Sequence, residues 1–174
     1  TRSAVTTVTI YSCVIAGLLA ARFWSLQIVP WLILTAGLFL AHGANNLLND
    51  YTDFRRGIDK DNTFRTQYGV HPLVQGFWDR RTHMRWFVAS GVLALAAAAY
   101  ALVYTGFDPV VIGLIVYGSL MLLFYTWPLK HLALGEITIF LVWGPVIVGG
   151  LFYVLARQWE WSVVLAGVPF GLGT

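Results

Sequence analysis

The sequence predicts an all-α fold, a polytopic bundle of transmembrane helices, and three observations predict it. Hydrophobic residues fill 58% of the 174 positions and charged residues 11%, with a mean hydropathy of +0.70; a soluble domain has a very different balance. Apolar runs long enough to cross a bilayer recur along the chain between short polar turns. The basic residues also segregate. If successive connections alternate sides, one side receives Arg2, Arg55, Arg56, Lys60, Arg65, Arg80, Arg81, Arg85 and Lys130, and the other only Arg22 and Arg157. Lys and Arg collect on cytoplasmic loops, so the N-terminus and the long polar connection are placed in the cytoplasm. This segregation explains the net charge of +3 and the pI near 9.2 without a nucleic-acid partner.

The first span is expected from Ala4 to about Phe23, with Arg22 and Trp24 marking its far boundary. No charged n-region and small-residue cleavage site frame it, so it reads as a span and not a signal peptide. The single cysteine, Cys13, lies within this run, excludes an internal disulfide, and is read as packing. A turn through Gln27 and Pro30 leads to a second span, Trp31 to about Leu48, whose helix should continue into polar sequence until Gly57 ends it. Residues 51–83 form the one extended polar segment, a cytoplasmic loop over the site, with Phe64, Tyr68, Phe77 and Trp78 to hold it against the membrane surface.

A third span, Met84 to Tyr104, carries the small-residue stretch Ala94 to Ala99, which allows close helix approach. Gly106, Asp108 and Pro109 turn the chain into a fourth span, Val110 to about Trp127. The fifth, Leu134 to about Leu155, contains Gly144-Pro145 at mid-depth; a kink is expected there, with a neighbouring helix satisfying the freed carbonyl. Trp159 and Trp161 belong to an interfacial belt, and a sixth apolar segment begins near Ser162. Residues 1–174 thus read as part of a single transmembrane domain.

The chemistry concentrates at the end of the second span, in N-L-L-N-D-Y-T-D-F-R-R-G-I-D from Asn46 to Asp59. On a helix Asn46, Asp50 and Asp53 stand at i, i+4 and i+7, and Asn49 is four before Asp53, so two carboxylates and two amides share one stripe. Two close anions repel unless a cation lies between them, and hard oxygen donors suit Mg²⁺, which bridges carboxylates to a substrate phosphate. The stripe reads as half of a metal–diphosphate site, with Asp59 returning a third carboxylate from the loop. His42, four before Asn46, lies on the same stripe and is read as a hydrogen-bonded packing residue.

This motif resembles the first aspartate-rich motif of the UbiA superfamily of intramembrane aromatic prenyltransferases. H-P-L-V-Q-G at 71–76 resembles the loop element that follows it, and Y-T-W-P-L-K from Tyr125 to Lys130, Gly135-Glu136 and Gly144-Pro145 match in order and spacing. The form N-D-Y-x-D-x-x-x-G-x-D is most similar to the branch that prenylates 1,4-dihydroxy-2-naphthoate on the way to menaquinone. The resemblance implies nine transmembrane helices, of which this sequence holds the first five and the start of a sixth. A second aspartate-rich motif is implied beyond residue 174.

Carried over by residue, the resemblance implies Asn46, Asp50, Asp53 and Asp59 as Mg²⁺ ligands, with Asp50 and Asp53 catalytic through the metal. Tyr125 is placed near the reacting centre, and Asn46, Asn49, Arg65, Lys130 and His71 contact substrate. His71 stands where an Arg is usual. The implied partners are a polyprenyl diphosphate, an aromatic acceptor and membrane lipid. A CDP-alcohol phosphotransferase is a poor fit, since no D-G-x-x-A-R run is present. A chain that truly ended at Thr174 would read instead as a non-catalytic subunit or lipid-binding element of a larger membrane complex, and a prenyl-lipid sensor is a third reading.

Overall fold

Asp108 and Pro109 show how locally the sequence dictates this fold. The Asp108 side chain accepts the Val110 N–H at 2.8 Å and Pro109 occupies the first helical turn, where its fixed φ and missing donor cost nothing. A computed structural model of the chain describes residues 3–57, 71–126 and 128–173, with the side chains of Ser3–Val5, Lys130 and His131 outside that description. The described residues are helices and turns throughout. They are α1 (Ser3–Phe23), α2 (Ile28–Arg56), α3 (Arg80–Tyr104), α4 (Pro109–Phe124), α5 (Gly135–Ala156) and α6 (Trp161–Leu172), with a short 3₁₀ turn at Leu129–Leu132.

Among the described residues four helices are long and apolar enough to cross a membrane: α1 over Thr6–Phe23, α2, α3 and α5. The fourth span was expected to reach Trp127, but α4 stops at Phe124 after 16 residues. Pro128 follows closely, and a proline disfavours continuation of a helix through its own position. Helix α6 has 12 residues. Within the long polar connection, α2 takes residues 51–56 and α3 takes 80–83, so the loop expected over 51–83 is shorter at both ends. Gly57 caps α2 at φ 74° in the left-handed region, the conformation for which glycine carries no Cβ penalty. Asp79 caps α3 by accepting the Thr82 N–H at 2.8 Å.

Small residues bring the helices together. A Cβ at Gly37 on α2 would collide with the methyl of Ala97 on α3, so the alanine stretch is where these two helices, the most extensively paired in the bundle, make their close approach. Gly144 of α5 and Gly167 and Gly171 of α6 form a second seam, in which an added Cβ would meet backbone at 2.5–2.7 Å. Trp31 crosses from α2 onto Gly17 and donates its indole N–H to the Cys13 carbonyl at 2.9 Å. The core joins α1 and α5 through Cys13, Ala16, Ala20, Val148, Leu151 and Phe152. Cys13 is fully buried there, in accord with a packing role.

The expected kink at Gly144-Pro145 takes a specific form. Residues Val142–Val146 are π-helical, and the Ile147 N–H bonds to the carbonyls of Val142 and Gly144. The Trp143 carbonyl instead lies 2.7 Å from the Ser12 hydroxyl of α1, which also reaches the Val8 carbonyl at 3.1 Å. A side chain of a neighbouring helix thus serves the backbone group that the irregularity releases.

Candidate active site

Helix α2 has 29 residues and is therefore about 43 Å long. That exceeds the ~30 Å hydrocarbon core, so its last turns emerge at one membrane surface. Those turns carry the stripe. Asn46, Asn49, Asp50 and Asp53 are 9%, 1%, 0% and 2% exposed, so the four side chains expected to act together are buried together on one face. Burial of two carboxylates one turn apart is costly unless the surroundings neutralise them. Asn46 Nδ2 is buried with no hydrogen-bond partner among the described residues, a donor held ready in a polar enclosure.

This donor set fits a hard divalent cation in chemistry: two carboxylates and two amide oxygens, all oxygen. Among the described residues no group of three His, Cys, Asp or Glu side chains could by itself hold a metal ion. The acidic ligands on the stripe are two, Asp50 and Asp53, and the expected third, Asp59, lies outside the described residues, as does Arg65. Lys130 belongs to the Leu129–Leu132 turn, and its side chain is also outside the description. Tyr125 caps the C-terminus of α4 and is partly buried. His71 is fully buried at the start of the turn that precedes α3, its Nδ1 accepting the Val74 N–H at 3.3 Å.

His83 is a residue that sequence reasoning missed. It is fully buried on α3 and its Nε2–H donates to the Leu47 carbonyl of α2 at 2.8 Å, three residues before Asp50. Its Nδ1 has no partner among the described residues. Tyr51 stacks on its ring at 6.2 Å and Trp78 meets it edge-on at 5.9 Å. The signal available was a histidine one turn after an Asp N-cap, too common a pattern to single out. Its effect is to bind α3 to the turn of α2 that carries the acidic stripe.

His42 lies one turn nearer the membrane interior. Its Nδ1 and the Thr9 hydroxyl of α1 are joined by a 2.7 Å hydrogen bond, and its ring lies 4.2 Å from that of Trp143 on α5. The expected hydrogen-bonded packing is present. Three helices meet at this point, immediately below the stripe.

Comparison with known proteins decides the family. The model of the UbiA prenyltransferase family matches residues 10–174. The chain belongs to the UbiA prenyltransferase family. It is similar to "UbiA prenyltransferase domain-containing protein 1" of Xenopus tropicalis, 29% identical over 154 residues, which cover 86% of this chain and 43% of that protein. The proteins of the same description from Rattus norvegicus and Gallus gallus are 31% and 32% identical, each over 76% of this chain and 39% of the relative. The chain therefore spans about two fifths of the length of these relatives. No solved structure gives a significant match. Family and apolar helices together make this UbiA-family chain an integral membrane protein.

Proposed function

We propose that the protein to which this chain belongs transfers a polyprenyl group from its diphosphate to an aromatic acceptor, in the formation of menaquinone or a related prenylquinone. The observation that carries the reading is the buried stripe of Asn46, Asn49, Asp50 and Asp53 at the end of a membrane-length helix in a UbiA-family chain. Asp50 and Asp53 would hold Mg²⁺, with Asn46 adding an amide oxygen and Asp59 a further carboxylate. Bound there, Mg²⁺ supplies charge that stabilises the departing diphosphate.

The side chains of this chain have separate tasks in that reaction. Asn49 donates to phosphate oxygens, Arg65 and Lys130 neutralise them, and His71 takes the remaining phosphate contact. Tyr125 presents an aromatic face to developing positive charge at the allylic carbon. The polar sequence between α2 and α3, expected on the cytoplasmic side, would keep water from the electrophile. Lipid-facing helices form the wall along which the prenyl tail lies. A purely structural or lipid-binding role gives no reason to keep two carboxylates buried at the membrane edge.

The test is transfer of labelled geranylgeranyl diphosphate by the full-length protein, with and without Mg²⁺, onto 1,4-dihydroxy-2-naphthoate, 4-hydroxybenzoate and homogentisate. Mg²⁺-dependent product on one acceptor supports the reading and names the acceptor. No product on any of them overturns it.

A further inference from the structure

We propose that His42, backed by Trp143, is the seat of the aromatic acceptor's ring hydroxyl, and so a residue that positions and selects the acceptor. The inference rests on the prenyl-transfer reading above and extends it to a side chain read from sequence as packing. The packing role accounts for one edge and one face of the imidazole only. Nδ1 is taken by Thr9 at 2.7 Å and the ring is covered by Trp143 at 4.2 Å, so the ring cannot swing. Among the described residues the side-chain hydrogen bond of His42 is the one at Nδ1, and the residue is 7% exposed, so its Nε2 edge is the part left for a ligand.

A polar edge fixed by two other helices at hydrocarbon depth is an expensive feature unless something binds it. Position says what binds. His42 is four residues before Asn46 and eight before Asp50, which on a helix is ~6 Å and ~12 Å toward the membrane interior on the same stripe. On the prenyl-transfer reading, a diphosphate held at the level of Asp50 would direct its apolar prenyl chain away from the aqueous side. The acceptor's nucleophilic carbon must come within ~3–3.5 Å of that carbon, which confines the acceptor ring to the turn of α2 just inside the stripe. His42 is the polar side chain of that turn on the stripe's face.

The ligand class follows from the chemistry at hand. Nε2 can hydrogen-bond a phenolic or naphtholic hydroxyl, and Trp143 gives a flat apolar surface for an aromatic ring. A saturated or polar acceptor matches neither.

The experiment uses the full-length protein, geranylgeranyl diphosphate and whichever of the three acceptors above the unaltered protein prenylates, comparing it with H42L, H42Q, W143A and W143F. Affinity for geranylgeranyl thiolodiphosphate with Mg²⁺ is measured alongside, as a readout of an intact stripe. The expected result is an acceptor KM raised about tenfold in H42L, the loss of one hydrogen bond, and raised in W143A. The diphosphate KM and analogue affinity should stay within about twofold. H42Q and W143F should recover most of the loss.

An acceptor KM unchanged in H42L overturns the proposal. So does an H42L protein in which acceptor KM, diphosphate KM and analogue affinity all worsen together, because that is what loss of packing does. Absence of turnover by the unaltered protein overturns the prenyl-transfer reading itself, and this inference with it.

Discussion

The Tyr153 hydroxyl donates to Asp108 Oδ2 at 2.9 Å, tying the end of α5 to the turn between α3 and α4. Arg157 Nη2 reaches the same oxygen at 3.3 Å while Asp108 Oδ1 caps α4. One carboxylate thus joins three elements at the membrane face opposite the stripe.

Burial acts to raise the Asp108 pKa, but the bonds from Tyr153 and from the Val110 and Val111 N–H groups, with the Arg157 charge, outweigh it and hold the carboxyl below its usual range. A carboxyl with a folded pKa below its unfolded one contributes stability above the unfolded pKa, ~3.9. That contribution is lost as pH falls through the lower folded value. We expect thermal stability in detergent to drop in acid below about pH 4, and Asp108→Asn to be less stable at pH 7 with a smaller drop on acidification. Thermal scans at pH 7 and pH 3 check this; an Asn variant with the full acid sensitivity would contradict it.

The close approach of α2 and α3 makes Gly37 and Ala97 a coupled pair. Gly37→Ala puts a Cβ onto the Ala97 methyl, and such overpacking costs ~1–3 kcal/mol. Removing that methyl in Gly37→Ala/Ala97→Gly should return most of the loss, a coupling that a double-mutant cycle measures directly. Gly43, on the same helix, has nothing within 4 Å of the added Cβ, so Gly43→Ala should be neutral or stabilising by up to ~1 kcal/mol.

His83→Leu removes the bond to the Leu47 carbonyl and should destabilise the protein by ~1–2 kcal/mol. The specific expectation is local. Amide hydrogen exchange at Asp50–Phe54 should accelerate more than in α5, since the bond restrains the last turns of α2. Uniform acceleration across α2 and α5 would show that His83 only contributes to general packing.

The helices were legible because hydrophobic run length, Gly57 and Asp-Pro are local signals: Gly57 does end α2 and Asp108-Pro109 does begin α4. The stripe was legible for the same reason, since helical periodicity alone places Asn46, Asn49, Asp50 and Asp53 on one face. The irregularity at Gly144-Pro145 followed from proline's missing donor, but that donor would have served Leu141, whereas the carbonyl served is that of Trp143, released where Val142–Val146 turn π-helical. That Ser12 serves it was not legible, because Ser12 and Trp143 are 131 positions apart and only folding brings them together. His83 and the Asp108–Tyr153–Arg157 cluster were illegible for that reason too. Each involves partners from different helices, and no spacing within one helix announces it.

The central claim is that the α2 stripe holds a metal-bound diphosphate. Its most direct test is equilibrium binding of geranylgeranyl thiolodiphosphate to the full-length protein, with Mg²⁺ or with EDTA, in the unaltered protein and in Asp50→Asn and Asp53→Asn. The account predicts binding that requires Mg²⁺ and weakens by about a hundredfold in either variant, the scale of losing one metal-site interaction. Equal binding in EDTA, or variants that bind as tightly as the unaltered protein, would contradict it.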